Sequence, residues 1–217
     1  MSNDQIDEYE QGERVRKWLR DNGGAVFGGI ALGLAAIAGF QFYQGHQAEQ
    51  QVEASRQFDR FVEAQDAGES ETAGGLAASL AANFADTPYP ALAALRRAST
   101  LVADGKPEEA LTALDAAIPG TRDAALAQLM QLRAARAEVL LGRHDAALAR
   151  IERVDIAAYR AMRDELRGDV LAAQGKRDAA RDAYRDALAA TDVAAPTRVL
   201  LELKLADVGG SITTPEA

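Results

Sequence analysis

The chain has 217 residues, a net charge of -9 and no cysteine. An acidic composition argues against a protein that binds nucleic acid, and the lack of cysteine excludes disulfides and thiolate metal sites. Aromatic residues make up only 6% of the chain and alanine is abundant, which favours closely packed helices over sheets, so we expect an all-α fold.

The first predicted element is an uncharged stretch from Gly23 to Tyr43. As a helix it would be about 32 Å long, which matches the roughly 30 Å hydrocarbon core of a bilayer. We therefore predict four segments: a cytoplasmic N-terminal segment over 1–22, a transmembrane helix over 23–44, an exported helical repeat domain over 45–208 and a flexible tail over 209–217.

Charges beside this stretch predict its orientation. The N-terminal side carries Arg14, Arg16, Lys17 and Arg20, whereas no Lys or Arg stands between Tyr43 and Arg56. The positive-inside rule places such an N-terminus in the cytoplasm and the part after the span outside it, so we expect a single-pass membrane protein in contact with membrane lipid. Two alternatives remain open: a cleaved signal peptide ending near the A-x-A arrangement at 36–38, and a buried helix of a soluble protein.

Small residues recur four positions apart along the predicted membrane helix. Close approach of a second helix backbone needs such spacing, which predicts a packing surface within the membrane. The predicted packing residues are Gly24, Gly28, Gly29, Gly33 and Gly39. The alternative is that the helix is only an anchor, since glycine is common in transmembrane helices.

Beyond residue 45 the chain contains an internal repeat. Gly105, Gly142 and Gly175 are each preceded seven residues earlier by a small residue and followed nine residues later by a large one. The small residues are Ala98, Ala135 and Gly168, and the large ones are Leu114, Ile151 and Tyr184. This register predicts three helical hairpins in which each glycine ends the first helix. The middle copy departs at Glu138, where a large apolar residue is expected.

Further helices are predicted on both sides of the three hairpins. Residues 46–66 and 71–84 form a degenerate hairpin by the helical spacing of their apolar residues. After Pro196, a closing helix is expected to cover the last repeat with Val199, Leu200 and Leu203, with Leu201 as a further candidate. Repeat arrays need such caps at their ends.

The first helices of the hairpins predict a protein-binding surface, which we call the inner-helix groove. Its residues are Leu92, Leu95, Val102, Leu129, Leu132, Val139, Met162, Glu165 and Asp169. The surface is apolar at its start and acidic at its end, which suits a segment of unfolded chain or a helix of a partner. The alternative is that these side chains pack against the flanking helices of the same chain.

Few residues suggest catalysis. His46 and His144, the two histidines, are far apart in sequence and are both expected at the surface. Asp178, Asp182 and Asp186 alternate with Arg and Lys on one helix, a pattern typical of an ion-paired surface. We therefore expect no enzyme activity, no catalytic residues, no cofactor and no metal.

The repeat resembles the tetratricopeptide repeat over roughly residues 90–190, most clearly in ELRGDVLAAQGKRDAARDAYRDALA, residues 165–189. The whole arrangement, with its span and its closing KLADV, resembles the YfgM-like ancillary subunits of the bacterial SecYEG translocon. That resemblance implies a single-pass protein of the bacterial inner membrane with its repeat domain in the periplasm. Its implied role is that of a scaffold beside the translocon, which assists newly exported, unfolded proteins together with a periplasmic chaperone of the PpiD type. An adaptor for envelope assembly or cell division is the alternative function.

Overall fold

The structure, a computed structural model, describes the backbone of residues 4–211 and the side chains from Arg14 onward, except Val26. This part of the chain contains α-helices, two short 3-10 helices and no strand, which confirms the all-α prediction. The helices are α1 (Asp4–Asp66), α2 (Ser70–Asn83), α3 (Tyr89–Ala103), α4 (Pro107–Ala117), α5 (Ala124–Leu140), α6 (His144–Ile151), α7 (Arg160–Ala173), α8 (Arg177–Ala190) and α9 (Arg198–Asp207).

The chain divides into two compact units, residues 1–52 and residues 53–217. The first unit consists of α1 as far as Val52. The second contains the end of α1 and all the remaining helices. The predicted tail from 209 overlaps the described residues only up to Ser211, so most of it lies outside them.

The three predicted hairpins are present as α3 with α4, α5 with α6, and α7 with α8. The repeated glycine ends the first helix of each one, as the turn after α5 illustrates. Gly142 has a φ of 71°, its N–H donates to the Val139 carbonyl at 3.0 Å, and the Arg143 N–H donates to the Glu138 carbonyl at 2.8 Å. A side chain disfavours this left-handed conformation, which is why glycine recurs there.

The small and large residues of the repeat both lie in the core. Ala98, Ala135 and Gly168 are buried, and so are Leu114, Ile151 and Tyr184. The short side chains let the paired helices approach, and the long ones fill the space between neighbouring helices. This confirms the register read from the sequence.

The degenerate hairpin is also present, formed by the end of α1 and by α2. Phe61 and Leu80 are fully buried in its core. The ring of Phe58 lies 5.5 Å from that of Tyr89, which brings the start of α3 against this core. The hairpin is therefore packed onto the first repeat by apolar and aromatic contacts.

A closing helix follows the last hairpin, and the prediction of its buried face was right for Leu201 but wrong for Val199, Leu200 and Leu203. Leu201 and Leu205 of α9 are buried against α8, whereas Val199, Leu200 and Leu203 are exposed. The helix carries two apolar stripes, and helical periodicity alone cannot choose between them. Leu201, Leu205 and the following Val208 recur at intervals of four and three, which makes one continuous stripe against the repeat.

Candidate functional site

The apolar part of α1 exposes its side chains. Within the described residues, one helical segment, Phe27–Asp66, is long and apolar enough to cross a membrane. Over residues 27–43 of this segment the large side chains are uncovered, with Leu32 exposed to 74% and Phe42 to 81%. A run of uncovered apolar residues of this length is unfavourable in water but favourable in a bilayer.

The five glycines of the predicted packing surface lie on two faces of this helix. At about 100° per residue, Gly24, Gly28 and Gly39 project within about 60° of one another, whereas Gly29 and Gly33 project roughly 140° to 180° from Gly24. A methyl group at any of the five would meet no described atom within 4 Å. Both faces are therefore open to approach by another helix.

The predicted inner-helix groove is largely engaged by its own chain. Leu95 and Val102 pack against one core cluster, around Met130, and Val139 and Met162 pack against the next, to which the buried Leu132 belongs. Leu92 and Leu129 are half-buried outside these clusters. The structure thus brings the apolar members into two separate parts of the core.

The acidic end of the inner-helix groove is held by the closing helix. Lys204 Nζ of α9 lies 2.6 Å from Glu165 Oε1 and 2.8 Å from Asp169 of α7. The Tyr184 hydroxyl donates to Asp169 at 2.9 Å. Burial of the phenol and the charge of Asp169 beside it raise the pKa of Tyr184. This acidic pair is therefore an anchor for α9.

Glu138, the departure from the repeat, belongs to a second polar cluster. The Arg150 guanidinium of α6 donates to Glu138 at 2.8 Å, to Asp115 of α4 at 2.7 Å and to Gln131 at 3.0 Å. Burial alone would lower the pKa of Arg150, but the hydrogen bonds and charges of Glu138 and Asp115 outweigh it and raise that pKa. The charge of Glu138 is thus compensated inside the array.

The sequence analysis missed a groove of about 710 Å³ between α2 and α4, with α3 as its floor. We call it the alanine groove, after its nine lining alanines: Ala77, Ala78, Ala81, Ala85, Ala91, Ala94, Ala113, Ala116 and Ala117. No residue of the inner-helix groove lines it. Alanines at helical spacing on both α2 and α4 were the signal, but alanine is so frequent here that the spacing carried little weight.

Polar loops form one end of the alanine groove. The loop after α2 contributes Asp86 and the segment before α5 contributes Arg122, whose guanidinium lies 2.6 Å from the Asp86 carboxylate. Asp123 also lines the groove and accepts the Leu126 N–H at 2.9 Å as the cap of α5. Arg97 of α3 is the fourth charged residue of the lining. The site offers apolar surface and charge for binding.

The two histidines belong to different units of the chain. His46 is exposed on α1, but His144, expected at the surface, is half-buried at the start of α6 with a buried Nδ1. Among residues 14–211, no group of three His, Asp or Glu side chains is placed to hold a metal ion.

On α8, Arg181 pairs with Asp178 at 3.0 Å, which confirms the ion-paired surface.

Sequence similarity to known proteins extends over nearly the whole described chain. The family profile of the tetratricopeptide repeat-like domain matches residues 16–210. The ancillary SecYEG translocon subunit of Escherichia coli (strain K12) is 30% identical over 91% of this chain and 95% of its own length. The protein of that name from Haemophilus influenzae is 26% identical over 84% of this chain and 89% of its own length.

Proposed function

Because this chain belongs to the tetratricopeptide repeat-like family that contains the ancillary SecYEG translocon subunits, we propose that it is a membrane-anchored scaffold associated with that translocon. In this role it binds other proteins and catalyses no reaction. The observation that carries the proposal is the coverage of the match: 95% of the Escherichia coli relative is aligned, so the similarity includes both the apolar helix and the repeats.

In the proposed topology, residues 1–22 lie in the cytoplasm, residues 23–44 cross the inner membrane and residues 45–208 lie in the periplasm. The positive charges before the span support this orientation. Trp18 precedes the span, and Phe42 and Tyr43 end it; all three are exposed. Aromatic side chains at these positions suit the two membrane interfaces.

The proposed partners are the translocon itself, a periplasmic chaperone of the PpiD type and newly exported proteins that are still unfolded. The support for the last two is the family resemblance together with a helical repeat domain, an architecture that presents extended surfaces to other proteins. The exposed glycine faces of α1 support lateral contact with the translocon within the bilayer.

Co-purification of the full chain in mild detergent tests the association. We expect translocon subunits to be recovered with the intact chain. A variant with residues 23–43 replaced by the span of an unrelated single-pass protein serves as the control, because it keeps the repeat domain and the anchor. Equal recovery with both would show that the native span is not the contact, and no recovery with the native chain would overturn the proposal.

Labelling of single cysteines tests the topology, because the natural chain has none. We expect Ala149→Cys, at an exposed position of α6, to react with a membrane-impermeant maleimide in intact spheroplasts. Gln11→Cys should react only after the inner membrane is opened. The opposite pattern would contradict the proposed orientation.

A further inference from the structure

The alanine groove has one charge without a partner. Asp86 and Arg122 pair with each other, and Asp123 is engaged as a helix cap. The remaining charged residue of the lining, Arg97, is exposed and has no acidic partner within the described residues. A ligand that places a carboxylate beside Arg97 would complete the charge balance of this surface.

The walls of the groove restrict the conformation of what it can bind. They are formed by α2, α3 and α4, whose backbone groups are bonded within the helices. A sheet edge, which an extended peptide needs for strand addition, is absent from the described residues. An extended segment would leave its own N–H and C=O groups unpaired against alanine methyl groups, whereas a helix satisfies them internally.

The size of the groove limits the length of a bound helix and favours large apolar side chains on it. Its lining residues on α2 run from Ala77 to Ala81, and its floor on α3 runs from Pro90 to Arg97, about 10 Å at 1.5 Å per residue. This length accommodates about two turns. The alanine side chains leave volume that large apolar side chains of the ligand would fill at the i, i+3 and i+4 positions.

We propose that the alanine groove binds an amphipathic helix of a partner protein that inserts large apolar side chains between α2 and α4 and pairs a carboxylate with Arg97. This adds a binding site to the proposed function and is independent of the contact made by the membrane helix. It also differs from the inner-helix groove, with which it shares no residue.

A designed peptide tests the groove directly. The probe is a fluorescein-labelled, alanine-rich peptide of about 15 residues, long enough to form a helix, with two leucines four residues apart and a glutamate one turn further on. Its binding to the full chain in zwitterionic nanodiscs is followed by fluorescence anisotropy, with empty nanodiscs as the blank. We expect saturable binding that weakens at least about tenfold when both leucines are replaced by alanine.

Matched variants locate the binding. Ala116→Phe fills the groove and Arg97→Glu reverses its free charge, and each should weaken binding at least about tenfold. Ala149→Phe and Arg133→Glu change exposed helical positions outside the groove and should bind as the natural chain does. Binding to the Arg97→Glu chain should return when the glutamate of the peptide is replaced by lysine.

Several results would overturn the proposal. They are the absence of saturable binding, equal effects of the groove and control variants, and failure of the charge exchange to restore binding. Sedimentation of the full chain gives a further check. A dimer that Ala116→Phe dissociates would show that the groove binds a second copy of this chain rather than a partner protein. Translocon co-purification is scored separately, so loss of peptide binding and loss of that association are distinguishable.

Discussion

Gly168 of α7 lies directly against the ring of Tyr184 of α8. A methyl group at position 168 would be 2.5 Å from Tyr184 Cδ1, which is closer than carbon atoms can approach. The ring cannot move aside freely because it is buried and its hydroxyl is bonded to Asp169. Gly168→Ala should therefore destabilise the repeat domain by about 1–3 kcal/mol, the usual cost of overpacking.

Chemical denaturation of the full chain in detergent, followed by circular dichroism, measures this loss. Gly75→Ala is the matched control, because Gly75 is an exposed helical position of α2 with no atom near its added methyl group. That variant should gain about 0.4–1 kcal/mol. Equal behaviour of the two variants would contradict the close packing of α7 on α8.

The contributions of Glu138 and Arg150 to the free energy of unfolding should depend on each other. Glu138→Leu removes the buried partner of a half-buried guanidinium while Asp115 remains, so we expect a loss of about 3 kcal/mol, the lower end for a broken buried pair. Combining it with Arg150→Met should recover much of that loss, because Asp115 is partly exposed and can be solvated. A double-mutant cycle measures the coupling, and additive effects would contradict it.

Tyr184 should make the free energy of unfolding depend on pH in the alkaline range. Its pKa is near 10 in the unfolded chain and is raised in the folded one, mainly by burial. The folded chain therefore favours the neutral phenol, so this contribution is complete below about pH 10 and is lost as the pH rises toward the higher folded pKa. Tyr184→Phe should remove this dependence. Denaturation midpoints from about pH 8 to 11 measure it, and identical slopes for both chains would contradict the assignment.

The glycine faces of α1 should contribute to partner binding in the membrane. Gly29→Leu or Gly33→Leu blocks close helix approach, and we expect a loss of about 1 kcal/mol, roughly fivefold in affinity. The repeat domain should remain folded, since both positions lie in α1 outside the repeats. Leu32→Ile is the control of unchanged size, and quantitative co-purification with translocon subunits is the measurement. Unchanged recovery would show that the helix serves only as an anchor.

The sequence predicted the hairpins because glycine, small and large residues each have a distinct physical role in the repeat. A positive φ at Gly142 and a close approach at Gly168 tolerate few other residues, so their positions are informative. The buried face of α9 was not predictable in the same way, since Leu200 and Leu201 are chemically alike and only tertiary packing distinguishes them.

The candidate site was harder to predict from the sequence than the fold was. The side chain of Glu138 gave no sign of its partner, because Arg150 is twelve residues away and belongs to the other helix of the hairpin. The alanine groove is defined by space between helices rather than by chemical groups. In a chain whose alanines also line every helix crossing, the same residue type marks both tight contact and empty volume.

The contacts of the Arg150 guanidinium affect how the repeat array unfolds. The stability of a repeat array is approximately the sum of the stabilities of its repeats and of the contacts between neighbouring repeats. Here a single side chain joins α4 of one hairpin to α5 and α6 of the next. Opening either hairpin would break the ion pair between Arg150 and Asp115, so this contact adds to the coupling between the two repeats and favours their opening together.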